Sequence, residues 1–131
     1  MNSEREAKDH WGRALQTFHT AERITDDNDS AANRCYYAAF HAVSALFALD
    51  GKTYKTHAGI KSAVHRDLVN TGLWPAELGA GYSFLLKARL KDDYGGGMHV
   101  KHDEAERALE TARHILQIVH KAKPGVFPLN M

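Results

Sequence analysis

The stretch NRCYYAAFHAVSALFALDG, residues 33–51, decides the fold class of this chain. It is alanine-rich and apolar around nearly its whole circumference, as expected of a helix that other helices surround. Asp29 or Ser30 can cap this helix at its start, and Asp50-Gly51 is a normal glycine stop after Leu49. The stretch therefore predicts a central core helix.

One helix is predicted before this core helix in the sequence and another directly after it. Apolar residues at helical spacing, among them Trp11 and Phe18, predict a first amphipathic helix from about Ser3 to Ile24. Thr56 can cap a third helix that runs through Leu68 and stops at residues 70–72.

Two more helices follow toward the C-terminus. Pro75 suits the first turn of a fourth helix, from about Ala76 to Asp92. Asp103 followed by Glu106 is the pattern of a capping box that starts a fifth helix, and Pro124 ends it. No strand-like alternation of useful length occurs, so the fold class is all-α, an antiparallel bundle of four to five helices.

Length and composition limit the domain organisation and the class of protein. The 131 residues suffice for one domain, predicted as a helical bundle over 1–123 with a C-terminal apolar tail over 124–131 that packs on a neighbouring surface or a second subunit.

A formal charge of +1 gives no overall attraction to nucleic acid or anionic membrane. No apolar run spans a bilayer and the N-terminus has no signal-peptide core, which predicts a cytoplasmic protein without membrane association. Cys35 is the only cysteine and is expected to be a buried, inert thiol.

A candidate site lies in KARLKDDYGGG, residues 87–97, at the end of the fourth helix. In one interpretation Arg89 binds a phosphate or nucleotide, Tyr94 stacks or hydrogen-bonds, and Gly95 and Gly96 let a ligand approach the backbone. In the other, Arg89 and Asp93 form an ion pair at helical spacing, and the tyrosine hydroxyl helps to close the bundle.

These stretches, with HAGIKSAVHRDLVNTG at 57–72, resemble the HEPN domain family, and above all its stand-alone prokaryotic branch. Members of that branch read approximately SRAYYAAFHAA, then SHxG, a KTG-like turn and RxxADYG. The matching residues here, which include the YYAAFHA and RxxxDYG motifs, are Asn33, Arg34, Tyr36, Tyr37, Ala38, Ala39, Phe40, His41, His57, Gly59, Thr71, Gly72, Arg89, Asp93, Tyr94 and Gly95.

The resemblance implies a function as well as a helical bundle. It implies the HEPN member of a toxin–antitoxin or defence-type module that acts on RNA or binds nucleotide, beside a minimal nucleotidyltransferase partner. HEPN ribonucleases carry an arginine, four to six residues and then a histidine, and two such pairs commonly face each other across a dimer. The imidazole moves protons at neutral pH and the guanidinium holds the phosphate, so RNA is cut without a metal. A homodimer and a metal-independent endoribonuclease are therefore expectations from the resemblance.

This chain departs from that motif, because Asp93 and Tyr94 stand where the histidine is usual. An ionised aspartate cannot act as a general acid unless its pKa is raised, which the adjacent Asp92 would favour. Another candidate is His41, which with Arg34 lies on one face of the central helix, about 10 Å apart along its axis. The alternative for this pair is a hydrogen-bonded core histidine and a buried ion-pair partner.

A locally basic stretch begins the third helix, where His57 and Lys61 are candidate ligands for RNA or nucleotide phosphate. The alternative is a solvated helix face. His99, His102 and Asp103 lack a further ligand at metal-binding spacing, so neither a metal nor a cofactor is expected. Two other functions remain open: a non-catalytic binding or oligomerisation subunit, and a structural helical adaptor.

Overall fold

The computed structural model describes residues 2–94 and 99–130, with the side chains of all of these except Asn2 and residues 92–94. Over these residues the chain forms five α-helices and one π-helical segment, and no strand. The predicted all-α bundle is confirmed. No helix in this part of the chain is long and apolar enough to cross a membrane.

Helix α2 (Asn28–Leu49) is the centre of the bundle, as its apolar circumference predicts. It contacts α1 (Asn2–Arg23) along its length, and it also contacts α4 (Ala76–Tyr94) and α5 (His102–Ala122). Trp11 and Phe18 of α1 are both buried, which agrees with their helical spacing.

The predicted cap of α2 is wrong. Asp27 is the N-cap, and its Oδ1 accepts a hydrogen bond from the Ser30 backbone N–H at 3.1 Å. Asp29 lies inside the first turn and bonds to the segment before α5 instead. Its Oδ1 accepts from the Val100 N–H at 2.6 Å, and its Oδ2 lies 2.8 Å from His99 Nδ1. Packing of the buried Val100 against the core brings this segment within reach of Asp29.

Helix α3 (His57–Ala63) begins as predicted, because the Thr56 hydroxyl oxygen accepts from the Gly59 N–H at 2.9 Å. The chain stays helical through Leu68, as predicted, but Val64–Val69 is π-helical, which the sequence pattern did not indicate. The Asn70 N–H accordingly bonds to the His65 carbonyl at 2.9 Å, five residues back. In this segment His65 Nε2 also lies 3.0 Å from Ser83 Oγ of the next helix, so a tertiary contact accompanies the wider turn.

Helices α4 (Ala76–Tyr94) and α5 (His102–Ala122) approach each other closely at Gly81. A Cβ at this glycine would lie 2.7 Å from Thr111 Cγ2, too close for a methyl group. The start of α5 also differs from the prediction. The N-cap is Lys101, and Glu104 Oε1 accepts from its backbone N–H at 3.0 Å. The capping box predicted at Asp103 and Glu106 is wrong because the helix starts earlier.

The C-terminal segment packs on its own chain. Phe127 is fully buried and its ring centroid lies 5.3 Å from that of Trp11. The Trp11 indole N–H donates to the Pro128 carbonyl at 2.8 Å, and His120 Nδ1 lies 2.6 Å from the Phe127 carbonyl oxygen. The neighbouring surface that was expected to bury the tail is thus, for Phe127, formed by residues of α1 and α5 of the same chain.

Candidate functional site

An aromatic cluster on α2 forms the base of the candidate site. Tyr36 is fully buried, and its ring lies 5.2 Å from that of Tyr37 and 6.0 Å from that of Phe40. Tyr82 of α4, also fully buried, lies 5.9 Å from Tyr36. Burial raises the pKa of both Tyr36 and Tyr82, so these side chains are phenols at neutral pH and can donate hydrogen bonds.

His57 joins this cluster from the start of α3. Its Nδ1 lies 2.6 Å from the Tyr36 hydroxyl oxygen, a hydrogen bond whose donor depends on the imidazole tautomer. Its ring lies 5.1 Å from Phe40, 5.4 Å from Tyr36 and 5.9 Å from Tyr37. Because α2 supplies all three of these rings, the position of the His57 imidazole is set by contacts with the central helix as well as by its place at the start of α3.

Arg89 reaches the same cluster from α4. Its Cζ lies 5.3 Å from the centroid of Tyr36 and 5.9 Å from that of Tyr37. Its Nη1 donates to the Tyr37 hydroxyl oxygen at 3.2 Å. A guanidinium beside aromatic rings gains cation–π attraction and is held in orientation by them. The fold therefore brings Arg89 of α4 and His57 of α3 against the same two tyrosine rings of α2.

The predicted residues His41 and Arg34 occupy other surroundings. His41 Nδ1 lies 3.2 Å from His10 Nδ1, at the contact between α1 and α2. Burial lowers the pKa of His41 to about 4, and the charges of His10 and Arg13 act in the same direction. Arg34 is exposed to solvent, so the interpretation of it as a buried ion-pair partner is wrong.

The other predicted residues fall into two groups. Lys61 is half-buried and one helical turn beyond His57, on the same face of α3. Asp93 and Tyr94 belong to the last turn of α4, but their side chains lie outside the described residues, as do Gly95 and Gly96 entirely. Both interpretations of the Arg89–Asp93 pair therefore stay predictions.

No cluster that could hold a metal ion occurs among the residues that the structure describes. His99 pairs with Asp29, and His102 Nε2 lies 2.5 Å from Glu106 Oε1 on α5.

In the sequence, Tyr36 and Tyr37 stand out only as members of the YYAAFHA motif, with no role assigned to them. In the fold both rings contact Arg89 and His57. Tyr82 was not singled out at all. The spacing of Tyr36 and Phe40, one turn apart, was the available signal, since it places two aromatic rings on one helix face.

Comparisons with known proteins agree with this architecture. A model of the HEPN domain matches residues 7–122, which is most of the chain. A curated relative from Thermotoga maritima (strain ATCC 43589 / DSM 3109 / JCM 10099 / NBRC 100826 / MSB8), described as a UPF0332 protein, is 29% identical over 124 residues, covering 92% of this chain and 94% of the relative. The five-helix bundle and the extent of the match lead to one conclusion: this chain belongs to the HEPN domain family.

Proposed function

We propose that this chain binds RNA or a nucleotide through the cluster of Tyr36, Tyr37, His57 and Arg89, which we call the tyrosine–arginine site. Its wider role would be the HEPN member of a toxin–antitoxin or defence-type module, acting as a homodimer beside a minimal nucleotidyltransferase partner. The observation that carries the proposal is the guanidinium of Arg89 against two tyrosine rings that also contact His57.

The chemistry of this arrangement suits a nucleotide phosphate. A guanidinium has five N–H donors in a planar fork, so it can donate to Tyr37 and bind phosphate oxygens at the same time. Tyr37, Phe40 and His57 are all partly exposed, and aromatic faces of this kind stack on bases without regard to sequence. Lys61, one turn beyond His57, adds a positive charge for a neighbouring phosphate.

Binding is tested by titrating fluorescent single-stranded RNA and, separately, ATP with the wild type and an Arg89→Gln variant. A charge-assisted hydrogen bond contributes about 1.5–3 kcal/mol, so the variant should bind at least about tenfold more weakly. Arg113→Gln is the matched control, because this arginine is also partly buried and lies 5.5 Å from the ring of Phe18. Equal affinity of the two variants for both ligands would contradict the proposal.

Metal-independent RNA cleavage is a second candidate function, favoured by the approach of His57 and Arg89 to the same rings. In this reaction the ribose 2′-oxygen bonds to phosphorus, the bond from phosphorus to the 5′-oxygen breaks, and the products are a cyclic phosphate and a 5′-hydroxyl. An imidazole can take the proton from the 2′-hydroxyl or supply one to the leaving oxygen, and the guanidinium stabilises the phosphorane-like charge.

Cleavage is measured with end-labelled single-stranded RNA in EDTA. If His57 has this role, the wild type leaves cyclic phosphate ends, and His57→Gln slows cutting by at least about a hundredfold. RNA that is bound but stays intact would show a non-catalytic binding subunit. Absence of both binding and cutting in a folded protein would leave the structural adaptor.

A further inference from the structure

A cavity lies at the C-terminal end of α2, away from Tyr36, and has no part in the proposed RNA site. Its volume is about 380 Å³, within the usual range for small-molecule sites. The apolar lining comes from three parts of the chain that meet there: the end of α2, the π-helical segment with the residues after it, and the end of α5. These lining residues are Leu46, Phe47, Leu68, Trp74 and Ile118.

The edge of this cavity carries charge. Lys52 and Lys121 line it together with Asp50 and Asp67. Asp67 is bound by Arg66, whose Nε and Nη2 donate to its two oxygens at 2.9 and 3.0 Å. Within the described part of the chain, neither lysine has a carboxylate within 4.0 Å. The lining thus carries two lysines and two carboxylates, and Arg66, which lies outside the lining, pairs with one of the carboxylates.

Two further features of this cavity support a role in binding. The π-helical segment that supplies Asp67 and Leu68 is an irregularity of a kind that recurs at functional sites. Leu73, also in the lining, exposes 69% of its surface, although the neighbouring Trp74 is buried. An apolar pocket with a few polar groups at its edge is the usual form of a small-molecule site.

We propose that this cavity, bounded by the ends of α2 and α5, binds a small organic anion with an aromatic or branched apolar body. The apolar body lies against Trp74 and Ile118, and the anionic group binds Lys52 and Lys121. Such a site makes the chain a ligand-responsive subunit, whether or not the tyrosine–arginine site binds RNA.

The test uses two probes of similar shape, 8-anilino-1-naphthalenesulfonate, which is an anion, and N-phenyl-1-naphthylamine, which is neutral. The chain has two tryptophans, so the indole N–H signals of ¹⁵N-labelled protein report on two places. Trp74 lines the cavity, whereas Trp11 is held against Phe127 and is the internal control. We expect the anionic probe to shift the Trp74 signal saturably, to leave Trp11 in place, and to bind at least about tenfold more tightly than the neutral probe.

Variants then separate charge from apolar contact. Lys52→Gln with Lys121→Gln should weaken the anionic probe about tenfold and leave the neutral one unchanged, while Lys8→Gln, on the exposed face of α1, should affect neither. Ala122→Phe, at an exposed position of the lining, should block both probes. Circular dichroism and RNA titration of each variant keep this result distinct from a failure at the tyrosine–arginine site.

The proposal is overturned if the Trp74 signal does not move, or if Ala122→Phe binds both probes as the wild type does. It is also overturned if the lysine variants bind the anionic probe normally.

Discussion

Replacing Tyr36 with phenylalanine removes one hydroxyl group from the tyrosine–arginine site and leaves its packing intact. The ring keeps its contacts at 5.2 Å with Tyr37 and 5.9 Å with Tyr82. What is lost is the 2.6 Å hydrogen bond to His57 Nδ1. A typical hydrogen bond contributes about 0.5–1.5 kcal/mol net, and the remaining part-buried imidazole nitrogen loses its partner. We therefore expect the free energy of unfolding to fall by about 1–2 kcal/mol.

Urea unfolding of four proteins measures this interaction: the wild type, Tyr36→Phe, His57→Gln and the double variant. The two residues touch, so their effects should not add, and the coupling free energy should be about 1 kcal/mol. Tyr54→Phe is the control, since its exposed hydroxyl bond to Arg66 is long, at 3.4 Å, and its loss should change stability by less than about 0.5 kcal/mol.

The same variants connect this contact to function. If the Tyr36 hydroxyl holds the imidazole in place for RNA, Tyr36→Phe should weaken RNA binding several-fold while Tyr54→Phe should not. The reasoning is refuted if Tyr36→Phe unfolds at the wild-type urea concentration and the coupling with His57 is zero. In that case the imidazole is positioned by ring packing alone.

Three further predictions concern the rest of the fold. The pKa of His41 is about 4 in the folded chain against an ordinary 6.5, so as pH falls from 6.5 toward 4 the unfolded chain binds a proton that the folded chain does not. The free energy of unfolding, measured by urea titration at each pH, should therefore fall over that range, and it should fall less in His41→Gln. Gly81→Ala should lower the free energy of unfolding in urea by about 1–3 kcal/mol, because its methyl group would lie 2.7 Å from a threonine methyl at the contact between α4 and α5. Gly12→Ala, which has nothing within 4 Å, should raise it by about 0.5–1 kcal/mol, and a more stable Gly81→Ala than Gly12→Ala would contradict this packing. Phe127→Ala should lower the free energy of unfolding by about 3–5 kcal/mol, because the ring is fully buried, and light scattering should show the same oligomeric state as the wild type. If the variant stays folded but dissociates, the C-terminal tail belongs to a subunit interface.

Helix existence could be predicted from the sequence more reliably than helix ends. All five predicted helices are present, and Thr56 caps α3 as expected. The caps of α2 and α5 were misplaced because several acidic residues stand within a few positions of each start. Asp27 and Asp29 are equally good caps in sequence, and only the position of Val100 shows that Asp29 has another partner.

The candidate site, like the helix ends, was predicted only in part. Arg89 and His57 were both predicted, but on separate grounds and in separate roles. His41 was a candidate to replace the missing histidine because of its place on the central helix, with a hydrogen-bonded core histidine as the alternative. In the fold that helix turns His41 toward His10 of α1, while Tyr36 and Tyr37 face the side where α3 and α4 approach.

By itself the sequence determined the helical class, the central position of α2 and the family, because periodicity and local motifs are properties of neighbouring residues along the chain. Only the tertiary structure decided that His57 and Arg89 meet at the tyrosine rings, that Phe127 is covered by its own chain, and that a cavity opens beside Trp74. Each of these depends on how far helices rotate about their axes when they pack. That rotation is set by the contacts of the whole core, so the local pattern of any one helix does not contain it.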